Sequence, residues 1–295
     1  MTKQTKWFER LSEPSASTPA FAIAVVILLT LQSQAQNFKV LYSFGAPPDA
    51  EFSTANLVRD KSGNLYGTTL FGGAFLNGAV FRMDATGNET VLYNFTGGAD
   101  GGLPFAGLIR DSQGNLYGTT TQGGDLTCVA PIGCGTVFKI SKGVLTVLHT
   151  FQGGTDGATP QPGLLLDAAG NLFGAAAAGG NGENGLIFKI SSNGTYSVVH
   201  RFTGNDGKTP NGTLVVDAAG NLFGTAQGGG VNALGTVFEL SAAGKVTVLH
   251  AFTGNLDGAF PLAGLTRDSS GTLTGTAVKN FLINQFNGEV FQITF

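Results

Sequence analysis

One segment recurs five times along the chain. In its clearest form it reads DAAGNLFGTAQGGGVNALGTVFEL, residues 217–240, and its copies begin at Asp60, Asp111, Asp167, Asp217 and Asp268. Successive copies are 51, 56, 50 and 51 residues apart. A unit of about 50 residues, rich in glycine and short apolar runs, predicts a radial or stacked β array, because one such unit cannot bury its apolar face alone. The repeat constrains architecture far more than activity.

Each copy divides into four short runs of β-branched and aromatic residues separated by Gly, Asn and Asp turns. Strand a is the G-L-x-x-D run at residues 107–111, 163–167 and 264–268, with variants at 56–60 and 213–217. A tight turn follows, as in Asp111-Ser112-Gln113-Gly114-Asn115. Its Asp can accept from backbone N–H groups two residues on, and its Gly can take the left-handed conformation. Strand b lies at 65–68, 116–119, 172–175, 222–225 and 273–276, and strand c at 78–81, 135–138, 185–188, 235–238 and 288–291. Strand d lies at 91–95, 147–151, 198–202 and 248–252. No amphipathic helix is expected after residue 35.

Four antiparallel strands per 50-residue unit make a propeller blade. The expected fold is therefore all-β, a five-bladed β-propeller of four-stranded antiparallel blades. Strands a, b and c each occur five times, but strand d occurs only four times between blades. The missing copy, Val40-Leu41-Tyr42-Ser43-Phe44, precedes the first strand a. It is expected to pair with the last strand c and close the ring, which removes two free sheet ends.

Residues 1–35 read as a signal peptide, and residues 36–295 as the single propeller domain. Lys3, Lys6 and Arg10 give a positive start, residues 21–31 are an apolar run, and Ser33-Gln34-Ala35 supplies small residues at a cleavage site. That run is short for a membrane span, which needs about 20 residues. The mature chain is thus expected to begin near Gln36, to be secreted or periplasmic, and to have no membrane segment after cleavage. Lys and Arg number 16 against 19 Asp and Glu, with no basic stripe, so nucleic acid is not an expected partner. Charged residues are 12% of the chain, about half the usual ~25%, as Thr, Ser and Gly on wet strand faces would produce. Cys128 and Cys134 are expected to form a disulfide closing a small loop, since a metal site would need two more ligands and no His is close by.

The repeated GNLYGTT…GG…GTVFKI pattern resembles the GloVer tandem-repeat family of exported bacterial proteins, over roughly residues 38–295. The resemblance implies a propeller-like secreted protein, with no activity attached to the repeat and no catalytic residues to transfer. The fifth copy, Gly271-Thr272-Leu273-Thr274-Gly275, lacks the GG pair, and no sorting tail is read after Phe295, so tail-mediated anchoring is not expected.

Candidate chemistry is weighed against the repeat itself. The five Asp residues at the a–b turns are explained by turn capping. A second set lies in the d–a connectors, Asp100, Asp156, Asp206 and Asp257, each followed by Gly and, three residues after that Gly, by Pro104, Pro160, Pro210 or Pro261. These connectors share a face with the long b–c loops, so the four Asp are candidates for a ligand-binding face, although Asp-Gly is itself a turn pair. Calcium would need six to eight oxygens, and no loop has such an acidic series. The unrepeated acids Glu51, Asp125 and Glu183 fall on the same face. Arg59, Arg110 and Arg267 precede the strand-a Asp and are candidates to line one side of the channel, with pairing to neighbouring carboxylates the alternative. His149, His200 and His250 occupy one position of strand d and read as packing or rim residues.

No metal, cofactor or catalytic set is expected. The expected function is a secreted, non-enzymatic binding or cell-surface module, probing a protein or glycan as a monomer through the long-connector face. The alternative is a glycoside hydrolase, lyase or lactonase with carboxylates at the channel mouth.

Overall fold

The computed structural model describes residues 38–45, 49–53, 55–254, 256–279 and 287–295. The expected signal peptide and cleavage site lie outside them. Four repeats form antiparallel sheets in the order a-b-c-d. The first contains Val58–Arg59, Leu65–Thr69, Ala79–Met83 and Glu89–Asn94; the second, Ile109–Arg110, Leu116–Thr120, Thr136–Ser141 and Val144–Thr150. The third contains Leu165–Leu166, Leu172–Ala176, Leu186–Ile190 and Tyr196–Arg201; the fourth, Val215–Val216, Leu222–Gly228, Thr236–Leu240 and Val246–Ala251. Among the described residues, the fifth sheet has three strands, Thr266–Arg267, Leu273–Lys279 and Asn287–Ile293.

Strand a is much shorter than the sequence suggests. Only two residues pair at each a–b turn, as in Ile109 with Tyr117 and Arg110 with Leu116. The chain just before them bends because each of four connectors carries a proline, which lacks a ladder donor. The residue before that proline takes a left-handed backbone at Leu103, Thr159, Thr209 and Phe260 (φ 48–54°), and Phe52 does the same in the first repeat (φ 58°). Farther along, the connector pairs with strand b again: Gly102 bridges Gln122, Ala158 bridges Ala178, Ala259 bridges Val278, and Lys208–Pro210 pairs across Leu222–Gly228. The inner edge of each sheet is thus two fragments around a bend. The bend also joins neighbouring repeats, with Leu103 N–H donating to Asn77 C=O, Thr159 to Cys134 and Thr209 to Asn184.

Strand d carries one extra residue at the same place in each of the first four sheets. The register against strand c skips between Val147 and His149, and equivalently in the other three sheets. Such a bulge re-aims the side chain that follows it. Here that side chain is Tyr93, His149, His200 or His250.

Phenylalanine builds the core between sheets. The residue just after each strand d packs edge-on against the strand-c Phe of the next repeat: Phe95 on Phe138, Phe151 on Phe188, Phe202 on Phe238 and Phe252 on Phe291, at 5.1–5.3 Å between ring centroids. Phe44 packs on Phe81 in the same way, at 5.0 Å. The strand-c ring lies across a strand-b glycine. A Cβ on Gly174 would stand 2.4 Å from Phe188 Cζ and 2.9 Å from Leu164 Cδ2, which explains the invariant Gly of the L-[YF]-G segment.

The fourth strand expected for the last sheet is not formed as a ladder: residues 38–45 carry no strand, and Asn287–Ile293 pairs only with Leu273–Lys279 among the described residues. Tyr42 and Phe44 nevertheless repeat the strand-d contacts towards the first sheet.

Candidate functional site

The turn aspartates cap their turns. Asp111 Oδ1 accepts from the N–H groups of Gln113 and Asn115 at 2.9 and 2.8 Å, and Asp60, Asp167, Asp217 and Asp268 repeat the pattern. The Asn64 amide and backbone donors hold the Asp60 carboxyl below its ordinary value.

The connector aspartates turn inward to their own repeat. The bulge aims the following strand-d ring at the connector. Tyr93 donates to Asp100 at 3.0 Å, and the Nε2 atoms of His149, His200 and His250 meet Asp156, Asp206 and Asp257 at 3.0, 2.9 and 3.0 Å. Tyr42 donates to Asp49 at 3.0 Å in the same manner. The same carboxylates accept backbone N–H groups of their own loops, from Thr96, Gln152, Thr203 and Thr253 at 2.8–3.0 Å. Each of the four predicted ligand-face aspartates is therefore a half-buried clasp within one repeat. The sequence shows the link as a fixed interval, seven residues from ring to Asp in four repeats and six at His200, which the packing reading of the histidines passed over.

Tyr93 and His149 illustrate the electrostatics. Burial and Asp100 push the Tyr93 hydroxyl up to about 12. Burial pulls His149 below its ordinary 6.5 and outweighs the opposing effect of Asp156; its ring stacks on Tyr196 at 3.6 Å. A histidine held neutral by the fold contributes stability that is intact above about pH 6.5 and is lost as pH falls through its lowered value, because the unfolded chain takes the proton first. His149→Tyr, which restores the residue type of Tyr93, is expected to lose less stability than wild type between about pH 7.5 and 5. Urea unfolding at both pH values checks this; equal losses would refute it.

Each of the unrepeated acids is held by its own local structure. Glu51 lies in the two-residue strand Ala50–Glu51, which pairs with Phe71–Gly72. Asp125 accepts from the N–H and hydroxyl of Thr127 at 2.9 and 2.6 Å. Glu183 is exposed and accepts the Gly179 N–H at 2.8 Å. Among the described residues, no group of three or more His, Cys, Asp or Glu is placed to hold a metal ion. Cys128 and Cys134 form the expected disulfide, with Cα atoms 5.6 Å apart, and Gly153 backs directly onto it.

Arg59, Arg110 and Arg267, each next to its turn Asp, lie at the a–b turn end of their sheets, over Gly63, Gly114 and Gly271. The ion pairs seen among the described residues are the three His–Asp contacts, so the expected arginine–carboxylate pairs are not formed. Arg110 instead reaches the neighbouring repeat, with Cζ 5.8 Å from the Tyr66 ring centre.

A cleft of about 320 Å³ lies against Glu289–Ile293, bounded also by His250, Phe252 and Asp257.

The model of the Gloeobacter/Verrucomicrobia repeat matches residues 27–130 and 129–295. No curated protein matches the chain. Among solved structures, the fold is similar to virginiamycin B lyase from Staphylococcus aureus (TM-score 0.52, 12% identity, 83% of this chain and 70% of that one). It is also similar to a protein described as a gluconolactonase (0.50, 17%, 85% and 78%). A third is the extracellular domain of a protein described as a one-component system from B. thetaiotaomicron (0.53, 10%, 83% and 27%). At these identities the likeness establishes a propeller-like fold.

Proposed function

The chain belongs to the Gloeobacter/Verrucomicrobia repeat family, and from that membership we propose that it is an exported five-bladed propeller that binds a protein or glycan, or serves as a scaffold, without turning over a substrate. The observation that carries this reading is the use of its acids. The carboxylates of Asp100, Asp156, Asp206 and Asp257 are bound to their own loops and strand-d rings. Asp125 and Glu183 cap their own loops too. General acid–base work needs a group within reach of a substrate proton, and a carboxylate tied to its own backbone is poorly placed for it. Export is supported by the disulfide and by the likeness to an extracellular domain.

The ring closes when residues 40–44 take the outer edge of Asn287–Ile293 as the missing strand d. Support comes from Tyr42 and Phe44, which already bond Asp49 and pack on Phe81 as Tyr93 and Phe95 do with Asp100 and Phe138. A hydrolytic or lyase reading rests on the fold it shares with a lyase and a described gluconolactonase. Screening the mature chain on lactones and polysaccharides separates the two. No turnover, with binding to a glycan or protein array, is expected. Turnover that collapses in Glu51→Ala, Asp125→Ala or Glu183→Ala would overturn the proposal.

A further inference from the structure

Tyr66 stands at the junction of the first two repeats, on the a–b turn side, with a cation from each. In register, strand c of its own sheet places Arg82 directly opposite it. From the next repeat, Arg110 lies over its ring at 5.8 Å. Both guanidinium groups are half-buried, and both Nε atoms are shielded from solvent with no hydrogen-bond acceptor. Neither arginine forms an ion pair among the described residues. The turn carboxylate of this repeat is already committed, since Asp60 accepts from the Tyr66 hydroxyl at 3.0 Å and from Asn64 and Ser62.

The other repeats show what this position ordinarily holds. At the second and third junctions a single cation lies over the ring, Lys139 over Tyr117 and Lys189 over Phe173, and the strand-a residue is Leu166 or Val216. At the fourth junction strand a again supplies an arginine, Arg267, but the register position of Arg82 is taken by Glu239, opposite Phe223. Burial works against ionisation of Asp217, but its turn hydrogen bonds and then the nearby Arg267 hold the carboxyl below its ordinary value. The fold therefore sets a carboxylate beside Arg267 and a second arginine beside Arg110.

Two partly desolvated cations flanking one ring, each with its Nε unmet, favour an anion beside them, and a guanidinium fork suits an oxyanion. We propose that Arg82 and Arg110, flanking Tyr66, form a binding site for a compact oxyanion, a carboxylate or phosphate group, on the a–b turn face. This site lies on the opposite face from the connector acids and is independent of the binding function proposed for them.

Titration of the full mature chain with inorganic phosphate and, separately, with glucuronate tests it, read by calorimetry and by NMR shifts. Binding that weakens at least about tenfold in Arg110→Gln and in Arg82→Gln is expected, the loss of one charge-assisted contact. Arg267→Gln should leave it unchanged. Arg82→Glu, which copies the Glu239 arrangement, should abolish binding and raise the melting temperature, so that loss of binding cannot be mistaken for unfolding. Phosphate alone or glucuronate alone identifies which oxyanion source the site takes, and either supports the assignment. No binding of either, or binding undiminished in Arg110→Gln and Arg82→Gln, would overturn it.

Discussion

Phe188→Ala is expected to destabilise the chain by about 3–5 kcal/mol, among the largest costs of any single core truncation. The ring is fully buried, it meets Phe151 at 5.3 Å from the preceding repeat, and it lies over Gly174. Gly174→Ala should cost about 1–3 kcal/mol for the opposite reason, overpacking, since the new methyl meets Phe188 and Leu164. The double variant is the informative one. With the ring gone, the added methyl occupies part of the void, so the double should be clearly more stable than the sum of the single costs predicts. Denaturant melts of the four proteins give the coupling. Strict additivity would show that the ring and the glycine are not one steric unit.

Deleting residues 36–45 is expected to have the broader effect. It removes Phe44 from Phe81 and Tyr42 from Asp49, and, under the proposed closure, leaves the last sheet without its fourth strand. Aggregation or a broad, early melt should replace the cooperative transition of the mature chain. Phe44→Ala, which keeps the backbone, should be destabilised but soluble. If the deletion melts like the full mature chain, residues 40–44 do not close the ring.

The sequence made the repeat legible because its period is carried by glycines, turn aspartates and strand phenylalanines, each held by a local requirement. The turn Asp was correctly read for that reason: Asp111 needs only the N–H groups of Gln113 and Asn115. The disulfide was read from spacing and compartment. What escaped was tertiary. The strand-d bulge has no residue signature, so nothing in the run from Val147 to Phe151 shows that His149 is turned towards Asp156. The length of strand a was overestimated because apolar spacing cannot reveal that Leu108 points into the core while the chain before it bends at Pro104.

The divided inner strand and the bulged outer strand have a consequence for solubility. A long, flat strand at a sheet border invites a strand from another molecule. On the inner border, two-residue ladders such as Val58–Arg59 and Leu165–Leu166, interrupted by a left-handed residue and in four repeats a proline, offer no continuous template. On the outer border, the bulges before Tyr93, His149, His200 and His250 interrupt the row at a fixed height. Asn287–Ile293 is seven residues long and pairs without a register shift. It is the border least defended against a foreign strand, and under the proposed closure residues 40–44 are the segment that would shield it.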